Sequence, residues 1–114
     1  MALYKRTSEK TGDRIVKLNT KIVCADGFSM SVQASGTAYC TPRESGAHRY
    51  SEVEIGFPSS REDLLLEYAE DRGNPTETVY GYVPANIVSL VIAKHGGIVE
   101  GQLPAGVPYL EKII

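Results

Sequence analysis

The 114-residue sequence contains no tryptophan, two cysteines, two histidines and no long apolar run. Neither histidine lies near a cysteine at the spacing of metal ligands, so we expect no zinc site and no other cofactor. Apolar runs approaching the roughly 18 residues that cross a bilayer are missing. The N-terminal MALYKRTSEK lacks the apolar core of a secretory signal. These absences predict a cytoplasmic protein that makes no contact with a membrane.

The net charge is small: 12 basic and 14 acidic residues give a formal charge of −2 at neutral pH and a pI near 5.7. Broad nucleic-acid binding needs a basic surface that releases counterions from phosphates, so the charge balance argues against it. The length suits one domain with one core. We therefore predict a single domain over 1–114, with a polar N-terminal arm at 1–13 and an apolar tail containing proline and glycine at 101–114.

The two cysteines, Cys24 and Cys40, are too few for a disulfide framework. In a cytoplasmic protein we expect them to be reduced and partly buried. The sequence leaves open a bridge between them.

The segment Lys21–Ser35, KIVCADGFSMSVQAS, is the strongest local fold signal. Two β-type runs meet at Asp26-Gly27, which favours a two-residue type I′ hairpin in which Ala25 faces Phe28. The apolar face in that register is Val23, Ala25, Phe28, Met30, Val32 and Ala34. The hairpin predicts the centre of an antiparallel sheet.

The remaining patterns predict further strands and two helices around that hairpin. The predicted elements are a strand or two short strands within Arg14–Ala25, strands at Tyr50–Phe57, Thr76–Val83 and Ile98-Val99, and helices at Arg61–Glu70 and Ala85–His95. Alternation of apolar and polar residues predicts the strands, while a capping signal and a broad apolar stripe predict the helices. This order indicates an α+β fold: a mainly antiparallel sheet with a central Asp-Gly hairpin and two helices covering it.

A ligand site is predicted in the loop Gly36–Arg49 and on the tyrosines near it. Guanidinium groups match phosphate oxygens and tyrosines stack on bases, so this residue content suits an anionic nucleotide-like ligand. The candidate ligand-binding residues are Tyr39, Arg43, His48, Arg49, Tyr50, Tyr80 and Tyr82. Two alternatives stay open: the loop is merely an exposed polar segment, or Tyr80 and Tyr82, which share one predicted strand face, belong to the core or to a partner surface.

No catalytic constellation is recognisable. The acids Glu62, Asp63, Glu67, Glu70 and Asp71 fit a solvated helix face. A thiol nucleophile with His48 as its base has no local signature, and Gly96-Gly97 is a helix stop without a phosphate-loop motif. We therefore predict a protein that is not an enzyme, with a small enzyme of unidentified activity as an alternative.

Three segments, KIVCADGFSMSVQAS, RYSEVEIGFPS and PTETVYGYVPANIVSLVIAKHGG, carry a resemblance to a family of short, mostly uncharacterised proteins of tailed phages and prophages. The resemblance spans roughly Lys21–Gly97. It implies a small phage accessory protein of counter-defence type, acting in the host cytoplasm. Some such proteins sequester a nucleotide immune signal, commonly as homo-oligomers, and others inhibit a host defence protein directly, as anti-CRISPR proteins do.

The tail ends in four large apolar residues, Tyr109, Leu110, Ile113 and Ile114, after two prolines that disfavour a continuous helix. An exposed apolar cluster invites association, so we expect the tail to pack on a neighbouring copy and form a homo-oligomer, most simply a dimer. The alternative is a tail that folds back as an edge strand on its own sheet.

Overall fold

A three-residue turn organises the first hairpin of the computed structural model, which describes residues 18–113. It joins β1 (Ile22–Cys24) to β2 (Ser29–Gln33). The Cys24 amide donates to the Phe28 carbonyl at 2.8 Å, and the Gly27 amide donates to the Cys24 carbonyl at 2.9 Å. Within the turn, Gly27 alone takes a positive φ, 95°. These are the features of a type I turn followed by a glycine bulge, so the predicted two-residue type I′ turn is wrong.

The pairing of the two strands is consequently shifted by one residue from the predicted register. Ile22 pairs with Met30 and Val23 pairs with Ser29. Ile22 and Cys24 are buried, whereas Ala25 is exposed and Val23 is half-buried. The predicted inward face is therefore wrong on the first strand. On the second strand it is right, since Phe28, Met30 and Val32 are buried.

The remaining strands are β3 (Glu52–Gly56), β4 (Val79–Pro84) and β5 (Ile98–Glu100), and the helix α1 covers Ala85–Lys94. Among residues 18–113, five antiparallel strands form a sheet in the order β4-β3-β2-β1-β5. The predicted α+β single domain is confirmed. The predicted arm at 1–13 and any strand before residue 18 lie outside the described residues. None of the helices within 18–113 has the length and apolarity needed to cross a membrane.

The predicted α-helix Arg61–Glu70 is wrong in type and extent, because the chain forms a 3-10 helix at Asp63–Tyr68. Ala69 is extended and forms a bridge with Tyr80, and the Glu70 amide donates to the Val79 carbonyl at 3.0 Å. Backbone pairing with β4 therefore ends the helix after six residues and lays the following segment along the outer edge of that strand.

The core lies between the sheet and the two helices. Its completely buried members include Ile22, Met30, Val32, Val53, Ile55, Leu65, Tyr80, Val83, Val88, Val91 and Ile92. Both cysteines are free, as predicted, and they are completely buried where the sequence predicted partial burial. Burial, with a smaller contribution from the charge of Asp26, raises the pKa of the Cys24 thiol to about 11 and leaves it protonated and unreactive at neutral pH.

The tail folds back on the sheet of its own chain, which is the alternative that the sequence left open. The Ile98 amide donates to the Leu110 carbonyl at 2.8 Å, and the Lys112 amide donates to the Ile98 carbonyl at 2.9 Å. The resulting bridge between Ile98 and Glu111 is parallel. The backbone of the tail thus covers the outer edge of β5, while the side chain of Ile113 stays 89% exposed.

Gly101 offers a direct test of how closely the tail approaches β1. Its φ is 120°, and a Cβ there would lie 2.6 Å from the Ile22 Cα and against the Lys21 carbonyl. Gly27 has a φ of 95°, and a Cβ there would meet no heavy atom within 4 Å beyond its chain neighbours. We expect Gly101→Ala to lower the free energy of unfolding by about 3 kcal/mol or more. Gly27→Ala should cost about 1 kcal/mol, from backbone strain alone.

Urea unfolding followed by circular dichroism measures both values. Equal losses for the two variants would contradict the close packing of Gly101 against β1.

Candidate functional site

Two exposed tyrosines and one arginine come together on one side of the molecule. The rings of Tyr39 and Tyr82 have centroids 6.0 Å apart and are tilted by 38°. The Arg43 guanidinium carbon lies 5.2 Å from the Tyr39 ring centroid, within the range of a cation–π contact. We call these three residues the Tyr39–Tyr82 surface. It brings together two aromatic faces and a cation, from a loop and from a strand of the sheet.

A bulge in β4 aims Tyr82 outward. Val83 pairs with Val53 and Tyr80 pairs with Ile55, so two residues of β4 stand opposite the single residue between them on β3. Tyr82 takes a φ of 53°, which is unfavourable for any side chain with a Cβ. Bulges and strained residues of this kind are enriched at functional sites.

Hydrogen bonds from the loop hold the bulge in place. The Tyr82 amide donates to the Tyr39 carbonyl at 3.0 Å instead of to a neighbouring strand. The Tyr39 amide in turn donates to the Glu54 carboxylate at 2.8 Å. A Cβ on Gly81 would lie 3.2 Å from the Tyr39 Cβ, so a glycine allows this close approach of loop and strand. The aromatic pair is thus positioned by the backbone of both segments.

A shallow cavity of about 270 Å³ extends from the aromatic pair toward the 3-10 helix. Its lining residues are Tyr39, Tyr68, Ala69, Glu70, Gly81 and Tyr82. Burial raises the pKa of the Tyr68 hydroxyl, and the negative charges of Glu67 and Glu52 raise it further. The cavity therefore has aromatic walls and an acidic side, whereas Arg43 supplies positive charge at the Tyr39 ring.

Of the seven predicted ligand-binding residues, the structure brings three together and separates four. Tyr80 and Tyr50 are buried, and their hydroxyls donate to the carbonyls of Pro75 and Glu44. Tyr80 and Tyr82 do not share a face, because the bulge between them reverses the direction of the second side chain. Neither buried ring is open to a ligand from solvent. His48 and Arg49 are exposed in the loop, and among residues 18–113 neither forms a stacking or cation–π contact with the aromatic pair.

A second cluster surrounds the buried carboxylate of Glu62, which is 1% exposed. Its Oε2 accepts from the Leu64 amide and from the Lys94 Nζ, both at 2.9 Å. Its Oε1 lies 2.7 Å from the His95 Nε2, and the His95 Nδ1 lies 2.6 Å from an Asp26 oxygen. We call Asp26, Glu62, Lys94 and His95 the Glu62–His95 cluster. Its formal charges cancel when the imidazole is protonated.

The geometry requires a protonated imidazole. A neutral ring has one N–H, whereas both ring nitrogens of His95 face carboxylate oxygens at hydrogen-bond distance. Burial by itself would lower the pKa of His95, but the hydrogen bonds to Glu62 and Asp26 and their negative charges outweigh burial and raise it. Burial would likewise raise the pKa of Glu62, yet its bonds to the Leu64 amide, Lys94 and His95 lower it.

The Glu62–His95 cluster is saturated by its own partners. The Phe28 ring stacks on His95 with centroids 4.0 Å apart, and the four charged groups hydrogen-bond to one another. A general base needs a free acceptor within reach of a substrate proton, and the doubly bonded imidazolium has none. Within residues 18–113 no group of three or more histidine, cysteine, aspartate or glutamate side chains is arranged to hold a metal ion.

Sequence reasoning missed this cluster and the Tyr68–Glu70 wall of the cavity. Local patterns place Asp26 in a turn, Glu62 at a helix start and His95 at a helix end. Glu62 lies 36 residues after Asp26 and His95 lies 33 residues after Glu62, so no local spacing connects the three residues. Only the tertiary packing of the hairpin turn against the C-terminus of α1 brings them within hydrogen-bond distance.

Comparison of the chain with protein-family profiles, with curated proteins and with solved structures finds no match in any of the three.

The Glu62–His95 cluster predicts a specific pH dependence of stability. Because the pKa of His95 is raised above 6.5, its stabilising effect is complete below pH 6.5 and is lost as the pH rises through the folded-state pKa. The pKa of Glu62 is lowered from 4.5, so its stabilising effect is complete above that pH and is lost in acid. The cost of His95→Gln in unfolding free energy should therefore be larger at about pH 5.5 than at about pH 9.

Urea unfolding at both pH values measures this cost, with His48→Gln as the matched control because that imidazole is exposed. A cost for His95→Gln that stays constant, or grows toward the alkaline pH, would contradict the protonated bridge.

Proposed function

We propose that this protein is a non-enzymatic binding protein that captures an anionic, nucleotide-like ligand at the Tyr39–Tyr82 surface. The observation that carries the proposal is the strained backbone of Tyr82, whose φ of 53° holds an exposed aromatic ring beside Tyr39. A glycine at that position would relieve the strain, so the cost of keeping a tyrosine there points to a use for its ring.

The chemistry of the surface suits a nucleotide. Bases stack on exposed tyrosine rings with about 1–3 kcal/mol per base. The guanidinium of Arg43 presents a planar fork of donors that pairs with phosphate oxygens, and it is already oriented by its contact with the Tyr39 ring. A ligand with a planar base and a phosphate would therefore use both features at once.

An enzymatic role has less support, because no nucleophile, base and orienting group converge on the described surface. The acid and imidazole groups of the Glu62–His95 cluster are bonded to each other. Together with the resemblance to phage proteins, a binding site without chemistry favours sequestration of a nucleotide immune signal in the host cytoplasm.

Replacing Tyr82 separates ligand binding from stability. Tyr82→Gly removes the ring and also the strain of a positive φ, so we expect the free energy of unfolding to stay the same or to rise by up to about 1 kcal/mol. The affinity for the ligand should fall at least about tenfold, since one stacking platform is lost. Isothermal titration with cyclic dinucleotides, cyclic oligonucleotides and ADP-ribose derivatives measures the affinity.

Phe57→Gly is the matched control, because Phe57 also combines a positive φ, 48°, with an exposed ring and lies outside the Tyr39–Tyr82 surface. It should leave the affinity unchanged. Absence of heat and of any thermal shift with every nucleotide in the panel would refute nucleotide capture, as would a Tyr82→Gly variant that binds like the unmodified protein.

We also propose that the protein is a homo-oligomer that assembles through the outer side of the tail. An apolar hollow of about 590 Å³ lies there, lined by Ala93, Gly96, Gly97, Tyr109, Leu110, Glu111 and Ile113. Among residues 18–113, the tail backbone pairs with β5 along one edge, and the side chains of Tyr109, Leu110 and Ile113 remain exposed. A second copy that packs its own tail against this hollow would bury the hollow and the exposed tail side chains of both copies. Such a dimer would have the two-fold symmetry that is commonest among oligomers.

Ile113→Asp tests this assembly without disturbing the fold, because the side chain is 89% exposed. A charge buried in an apolar interface is strongly unfavourable, so we expect the variant to shift from oligomer to monomer. Leu90→Asp, at a site on α1 that is 52% exposed, should leave the mass unchanged. Multi-angle light scattering at micromolar concentration gives the masses, and a monomeric unmodified protein would refute the assembly.

A further inference from the structure

The lining of the cavity beside the Tyr39–Tyr82 surface indicates which base the cavity would accept. This inference rests on the proposed function. The rings of Tyr39, Tyr68 and Tyr82 line this shallow space, so a base that stacks on Tyr82 would place its edge against the other lining residues. The edge of the base is where nucleotides differ from one another. The polar group at the wall of the cavity therefore decides among them.

That polar group is Glu70. It lines the cavity and follows Ala69, whose backbone is fixed by its bridge to Tyr80. The Glu70 amide donates to the Val79 carbonyl at 3.0 Å, so the residue is anchored on the edge of β4. None of the ion pairs formed within residues 18–113 involves Glu70. Glu70 is thus an exposed residue with an anchored backbone, and its carboxylate forms no ion pair with a cationic group among these residues.

The surroundings of the cavity carry charges of both signs. Arg43 lies at the Tyr39 ring, whereas Glu67 and Glu52 are close enough to Tyr68 to raise the pKa of its hydroxyl, after the larger effect of burial. A phosphate is attracted to the arginine and repelled by the acidic side. A bound nucleotide would therefore have its phosphate near Arg43 and the hydrogen-bond donors of its base toward Glu70.

A carboxylate accepts hydrogen bonds and donates none, so it selects an edge with adjacent donors. Guanine presents N1–H and the exocyclic N2–H side by side, which match the two oxygens of one carboxylate. Adenine and cytosine present an amine next to a ring nitrogen acceptor, and uracil presents one N–H between two carbonyls. Each of these edges places an acceptor against the carboxylate, which is unfavourable.

We propose that the cavity formed by Tyr39, Tyr68 and Tyr82 binds guanine, with the Glu70 carboxylate as the acceptor that selects this base.

Titration with GMP, AMP, CMP and UMP tests the proposal on the full chain. Because a bidentate pair discriminates between bases about tenfold or more, GMP should bind at least about tenfold more tightly than AMP. Glu70→Gln replaces one acceptor by a donor, so it should abolish the preference for GMP while AMP still binds by stacking. Glu77→Gln, which changes an acid outside the cavity lining, should keep the preference. Circular dichroism checks that both variants are folded.

The outcomes separate this inference from the proposed function. If none of the four nucleotides binds, nucleotide capture itself is wrong and the base preference is withdrawn with it. If they bind with similar affinities, or if another base binds most tightly, nucleotide capture stands and guanine selection is refuted. A preference for GMP that survives in Glu70→Gln refutes the role of this carboxylate.

Discussion

The buried carboxylate of Glu62 constrains how the parts of this fold meet. A charge with 1% exposure is tolerated only when donors surround it, and here they come from separate segments: the Leu64 amide of the 3-10 helix, and Lys94 and His95 at the end of α1. The other ring nitrogen of His95 is bonded to Asp26 in the hairpin turn. Removing its partners would leave the Glu62 carboxylate buried and unpaired, which is unfavourable. The bonds of the cluster therefore hold the hairpin, the 3-10 helix and α1 in one arrangement.

The same constraint extends from the core to the surface. With Glu62 fixed at its N-cap, the 3-10 helix has six residues before Ala69 pairs with Tyr80 on β4. This short span sets where Tyr68 and Glu70 stand relative to the bulge that carries Tyr82. The aromatic cavity is therefore built by two anchors, the buried ionic cluster at one end and backbone pairing with β4 at the other. Neither anchor needs a ligand to be in place.

Local patterns predicted much of the architecture, and the errors have a common physical origin. Alternation identified the strands around Val53 and Val83, and Gly96 correctly marked the end of α1, because these signals are set by neighbours in sequence. The hairpin register failed because Asp26-Gly27 is compatible with turns of two or three residues. The choice is made by Asp26, which caps the Phe28 amide and binds His95 across the fold. Of the predicted ligand-binding residues, Tyr39, Arg43 and Tyr82 lie together. The burial of Tyr50 and Tyr80 depends on tertiary packing and a bulge, which local patterns do not show.

Backbone strain alone does not define the site, as Phe57 shows. It also has a positive φ, 48°, with an exposed ring, and it borders a separate hollow of about 310 Å³ with Lys21 and Gln33. No second aromatic ring or guanidinium faces it among the described residues. Tyr82 differs because its strain coincides with a paired ring, an oriented arginine and an acidic wall in one place. The Tyr39–Tyr82 surface therefore combines strain with complementary chemistry, whereas at Phe57 the strain occurs without such partners.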